Sequence, residues 1–74
     1  MKVKVKLFAY FRDDRFKEKI SDLKSGTKVV DIVDDLNIDH EEIGVLMINS
    51  RHTTLDTILH EDDILAIFPV VGGG

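Results

Sequence analysis

The residues of this sequence that could do chemistry are three histidines, fourteen carboxylates and a closing run of three glycines. His40, His52 and His60 stand 12 and 8 residues apart, with no i, i+4 pair to set two imidazoles on one helix face, so the spacing argues against a metal site. Glu61-Asp62-Asp63 could offer oxygens to a divalent cation, yet ahead of an apolar run that composition more often makes a turn. The sequence has no phosphate-binding loop, G-x-G-x-x-G, H-E-x-x-H or nucleophile elbow. The other carboxylates read as exposed, solubilising groups with nothing to arrange them as an acid–base pair. No enzyme activity, metal or permanently bound cofactor is therefore expected of these side chains.

There is no cysteine. That removes disulfides, thiolate zinc sites, thiol nucleophiles and persulfide chemistry on a side chain. Any sulfur handled by this chain would have to sit on its C-terminal carboxyl group. The closing stretch Phe68-Pro69-Val70-Val71-Gly72-Gly73-Gly74 suits that use, because glycines lack a Cβ and can pass through a slot too narrow for a side chain. Val71 to Gly74, fully extended, reach at most about 14 Å. The α-carboxyl, with a reference pKa of about 3.3–3.7, is ionised at neutral pH and is a poor electrophile until activated. A nucleotide-using enzyme could adenylylate it, after which a sulfur nucleophile or an amine could displace the adenylate. The bland alternative is that terminal glycines are fraying or linker.

The elements that must present such a tail can be read in order. Val3, Val5, Leu7 and Ala9 alternate with Lys2, Lys4 and Lys6, which predicts a strand over residues 2–11 with one face in the core. Phe8 and Tyr10 fall on the lysine side, where they would be covered or would form an apolar patch for a partner. After a turn at Arg12-Asp13-Asp14-Arg15, residues 16–23 read as a second strand anchored by Phe16, Ile20 and Leu23. Thr27 is the expected N-cap of a helix over residues 28–36. Its stripe is Val29, Ile32, Val33 and Leu36, opposite Asp31, Asp34 and Asp35, and Asn37 closes it in a left-handed conformation. Val45-Leu46-Met47-Ile48 reads as a strand covered on both faces or central in its sheet. Asn49-Ser50-Arg51 is a turn, His52 to Leu55 a short edge strand, and Ile64 to Phe68 the last strand, its pairing ended by Pro69.

This order predicts an α+β, β-grasp (ubiquitin-like) domain over residues 1–70, a mixed four- to five-stranded sheet crossed on one face by one helix. The first and last strands would be central and parallel, and residues 71–74 would form an extended glycine tail. At 74 residues and 43% hydrophobic the chain is one domain with a small core. It contains no 18-residue apolar run or basic-then-apolar leader, so neither a membrane partner nor secretion is expected, and the cytoplasm is the expected location. The net charge of −4 argues against nucleic acid as a partner. It also conceals an asymmetry: residues 1–28 hold nine Lys or Arg against four acids, and residues 29–74 hold one against ten. A basic side and an acidic side would orient the domain on a partner, or would keep it soluble.

Val3-Lys4-Val5-Lys6-Leu7-Phe8-Ala9 with Arg12, together with Leu59 through Gly74, resembles the opening strand and closing turn, strand and tail of the ThiS/MoaD sulfur carriers. The likeness extends over essentially the whole chain. Leu7-Phe8-Ala9 and Phe68-Pro69 are more similar to the branch that serves as the small subunit of molybdopterin synthase than to the thiamin branch. Asp62 stands where the family commonly has glycine, a position Asp tolerates better than most residues, and Val70 replaces a second proline. Gly73 and Gly74 fill the family's Gly-Gly, and Gly72 its variable position.

The resemblance implies adenylylation of Gly74 by an E1-like adenylyltransferase that uses ATP, then conversion to a thiocarboxylate. The tail, Val71, Gly72, Gly73 and Gly74 following Pro69, would then enter the large subunit of molybdopterin synthase and give sulfur to a pterin precursor. It implies further partner contacts from Phe8, His52 and Phe68, although His52 stands where an apolar residue is more usual. The alternatives are a ubiquitin-like modifier conjugated through Gly74, a sulfur carrier for another pathway such as thiamin thiazole synthesis, and an interaction domain with an inert tail.

Overall fold

The computed structural model describes residues 1–71; Gly72, Gly73 and Gly74, expected as the extended tail, lie outside the described residues. Five strands form one sheet: β1 Lys2–Leu7, β2 Glu18–Asp22, β3 Ile43–Ile48, β4 Arg51–His52 and β5 Ile64–Pro69. Their spatial order is β2-β1-β5-β3-β4. The two central strands, β1 and β5, run parallel, with Val5 beside Leu65 and Leu7 beside Ile67, and the other pairs are antiparallel. The helix α1, Val29–Asp35, contributes to a single core on one face of the sheet. This is the β-grasp arrangement.

The alternation in β1 sends Val3, Val5 and Leu7 into that core, where they meet Leu65 and Ile67 of β5 and Val29 and Val33 of α1, all at most 1% exposed. Parallel central strands need neighbours on both edges, which accounts for the strongly apolar composition of β5. Leu46 is the fully inward residue of β3, and the rest of Val45-Leu46-Met47-Ile48 is half-buried. β3 is interior to the sheet, as its apolar run suggests, although β4 covers it over two residues only.

Several local expectations are corrected. The first strand stops at Leu7. Ala9 turns the chain with φ of 51°, and Ala9–Arg12 form a 3-10 turn. Ala9 is thereby exposed, against the alternation, while Phe11 stays buried. Ile20 is no anchor: opposite Lys4 in the β1–β2 ladder, it points to the uncovered face and is 63% exposed, whereas Phe16 and Leu23 do pack on the core.

Thr27 is not the N-cap of α1; its hydroxyl donates to the Lys24 carbonyl at 2.7 Å. Lys28 occupies the cap, and its N–H donates to the Asp31 carboxylate at 2.9 Å. The next two first-turn N–H groups, of Val29 and Val30, reach the carbonyls of Thr57 and Leu55. The helix thus begins against the 55–59 segment, which satisfies the donors a side-chain cap would otherwise take. At the other end Asn37 has φ of 57°. Its N–H bonds the Asp34 carbonyl, and that of Ile38 bonds Val33, which makes a Schellman closure with Ile38 buried beside Val33.

The short edge strand is Arg51–His52 rather than His52 to Leu55, because Asn49 and Ser50, both at positive φ, close a two-residue hairpin. Asp62, with φ of 66°, adopts the glycine-like conformation expected of it.

Candidate functional site

The acidic turn before β5 is occupied by structural duties. The Asp63 carboxylate accepts from the His60 N–H and from Asn49 Nδ2, both at 2.8 Å, and Glu61 accepts from the Lys2 N–H at 2.7 Å. Those bonds close the turn against β1 and the β3–β4 hairpin. His40 Nε2 lies 2.6 Å from Asp34 Oδ1 near the C-terminal end of α1. Among the described residues no three His, Asp or Glu side chains converge as metal ligands, and no helix is long and apolar enough to cross a membrane.

At the other end of β5 the chain leaves the sheet toward the glycines, and here the geometry is specific. Pro69 does not end the pairing. It is buried and lies opposite Ile43 across an irregularity at Gly44, and the Val70 N–H donates to the Glu42 carbonyl at 2.8 Å. A Cβ on Gly44 would sit 2.6 Å from the Pro69 carbonyl oxygen and 2.9 Å from the Val70 Cα. Only glycine lets β3 approach the root of the tail so closely. Beyond that bond Val71 is 94% exposed.

Glu42 holds the root a second way. Its carboxylate accepts from the Tyr10 hydroxyl at 3.0 Å, which ties the 3-10 turn after β1 to the end of β5. The Tyr10 phenol is pushed above its ordinary value by partial desolvation, then by the hydrogen bond to Glu42 and its charge, all of which oppose the phenolate.

The sheet face turned away from α1 carries the residues singled out from the sequence. Phe8, just past β1, and Phe68 on β5 stack with ring centroids 4.1 Å apart and planes inclined by 12°. The Arg12 guanidinium carbon lies 5.2 Å from the Phe8 centroid, held there by an Nε bond of 2.7 Å to the Leu7 carbonyl. Val45 lies opposite Phe68, Met47 opposite Ala66, and His52 opposite Met47, so His52 belongs to the same face. Phe8, Phe68 and His52 are brought onto one surface, with Val45, Met47 and Ala66 between them. Pro69 points to the core side and fixes the exit.

Gly44 and Glu42 were not foreseeable as equals of the aromatics. The signal for Gly44 was an isolated glycine in an apolar strand. Glu42 had none, since it acts partly through its carbonyl.

The ThiS family profile matches residues 5–74. Among solved structures, this chain is similar to a Pyrococcus furiosus protein described as a candidate molybdopterin converting factor, subunit 1. The TM-score is 0.77 and the identity 28%, over 96% of this chain and 99% of that one. It is also similar in fold to SAMP1 from Haloferax volcanii, with TM-score 0.80 and 22% identity over the whole of both chains. A structure of H. volcanii small archaeal modifier protein 1 matches with TM-score 0.77 and 21% identity, over 95% of this chain and 98% of that one. No curated protein sequence gives a significant match.

Proposed function

This chain belongs to the ThiS family, and from that premise we propose that it is a sulfur carrier for molybdopterin synthesis, with the Gly74 carboxyl group as its reacting centre. An E1-like adenylyltransferase joins that carboxylate to the α-phosphorus of ATP, and pyrophosphate leaves. A sulfide-level sulfur nucleophile then attacks the carbonyl carbon. A C–S bond forms as the C–O bond to the phosphate breaks, AMP departs, and a thiocarboxylate results. The large subunit of molybdopterin synthase receives the tail, and the sulfur passes to a pterin precursor.

The observation that carries this reading is the pairing of a half-buried aromatic stack on the open face of the sheet with a rigidly held exit. Phe8 and Phe68 offer a partner an apolar surface at the root of the tail, while Gly44, Pro69 and the Val70–Glu42 bond hold the direction in which the tail departs. In this reading the domain supplies binding energy and orientation, and the partner supplies the catalytic groups. Val71, Gly72 and Gly73 span the distance to its active site. His52 sits at the far side of the docking surface.

The P. furiosus relative's description favours the molybdopterin pathway over the thiamin pathway. The name of the Haloferax protein favours a second reading, in which a lysine amine displaces the adenylate and leaves an amide at Gly74. Incubating the chain with its activating enzyme, ATP and a sulfur donor tests the carrier role: replacement of one terminal oxygen by sulfur supports it, and an unaltered terminus refutes it.

A further inference from the structure

Next to the aromatic stack lies a cleft of about 100 Å³ lined by Lys6, Phe8, Arg12, Lys17 and Glu18. Three cations face one acid, and that acid is engaged elsewhere. Glu18 lies opposite Lys6 in the β1–β2 ladder, yet its carboxylate pairs with Lys4 Nζ at 3.5 Å. Among the described residues, Lys6, Arg12 and Lys17 have no carboxylate within ion-pair distance. Arg12 is fixed in advance: Nε is committed to the Leu7 carbonyl and the guanidinium lies over Phe8. Its two Nη nitrogens make no hydrogen bond to a described residue. A guanidinium held in this way presents a planar fork that matches a carboxylate, and an anchored fork loses little freedom on binding.

We infer that this cleft receives an acidic side chain of the activating enzyme, seated between Arg12 and Lys17 while the enzyme's apolar surface covers Phe8 and Phe68. The inference rests on the carrier reading above. Charge complementarity selects the occupant: the cations are left uncompensated in a cleft that shares Phe8 with the aromatic stack, so a surface that covers the stack meets them and must supply negative charge. The concentration of Lys and Arg in residues 1–28 thereby acquires a specific use, setting the domain's rotation on its partner.

The test is steady-state adenylylation by the host's activating enzyme, followed as pyrophosphate release with this chain as the varied substrate. Lys17→Glu should raise KM about fivefold and Arg12→Glu about tenfold or more, with kcat unchanged, as for loss of an interfacial charge pair. Lys17 is the safer variant, because its side chain supports no structural bond whereas Arg12 holds Leu7. Raising salt from about 0.05 to 0.3 M should raise the wild-type KM and affect Lys17→Glu much less. Lys24→Glu, beyond the opposite end of β2, is the control and should behave as wild type. Wild-type turnover with a Lys17→Glu KM within about twofold of it, or a Lys24→Glu effect of equal size, overturns the inference alone. Absence of wild-type turnover overturns the carrier reading and the inference together.

Discussion

Gly44 is the residue on which the tail's direction depends most. Its missing side chain leaves room for the Pro69 carbonyl, and a methyl group placed 2.6 Å from a backbone oxygen cannot be relieved by a rotamer change. Gly44→Ala should cost about 1–3 kcal/mol, a fall in Tm of about 4–8 °C per kcal/mol for a domain of this size, read by thermal denaturation. A Tm within a degree of wild type would show that β3 and β5 part without strain. Tyr10 offers a spectroscopic test of the adjoining latch, being the sole tyrosine in a chain without tryptophan. Its phenol should titrate above the ordinary value of 10.0, followed by phenolate absorbance. Glu42→Gln should bring the midpoint down by removing the charge that opposes the phenolate. The sign for stability follows: a raised folded-state pKa means that the contribution is complete below about pH 10 and is lost as the pH climbs through the raised value. An unmoved midpoint in Glu42→Gln would contradict the latch.

At the scale of elements, the start of α1 shows how tertiary contacts replace a local signal. Asp31 accepts from the Lys28 N–H while the 55–59 segment takes the donors of Val29 and Val30. Asp31→Ala should cost about 1 kcal/mol, measured by chemical denaturation, and an unchanged midpoint would leave the backbone contacts as the whole cap. A threonine before an apolar stripe is a sound cue, but nothing local in the sequence reveals that carbonyls 25 or more residues away will arrive first. The same limit explains β1. Alternation through Tyr10 is compatible with a longer strand, and nothing in the period reveals that Ala9 turns at positive φ, which exposes Ala9 while Phe11 stays in the core. Ile20 misleads for a related reason, since its face depends on pairing with Lys4. By contrast the helix stripe, the Asn37 closure and the inward face of β1 through Leu7 were legible, because period and composition alone determine them.

The order of elements was enough to give the β-grasp topology, with first and last strands parallel at the centre, since a chain this short has few ways to bury one helix stripe and one sheet face. The site was legible in part. Phe8, Phe68 and His52, the partner-contact positions that the resemblance implies, could be named from the sequence, whereas their common face, Gly44, Glu42 and the Arg12 anchorage arise from register and backbone geometry. At this scale the domain is a rigid stand beneath a short reacting tail, and the two should be separable. Deleting Gly74 should leave Tm unchanged, because the buried core cluster lies between Val3 and Ile67, and should abolish sulfur transfer. Phe68→Ala should cost about 1–2 kcal/mol and weaken docking while leaving the terminus chemically competent. Intact-protein mass spectrometry of the chain isolated from native cells making the cofactor should find a fraction in which one oxygen of the Gly74 carboxyl group is replaced by sulfur; an exclusively unmodified terminus, or Gly74 found only as an amide on lysines of other proteins, would refute the carrier role.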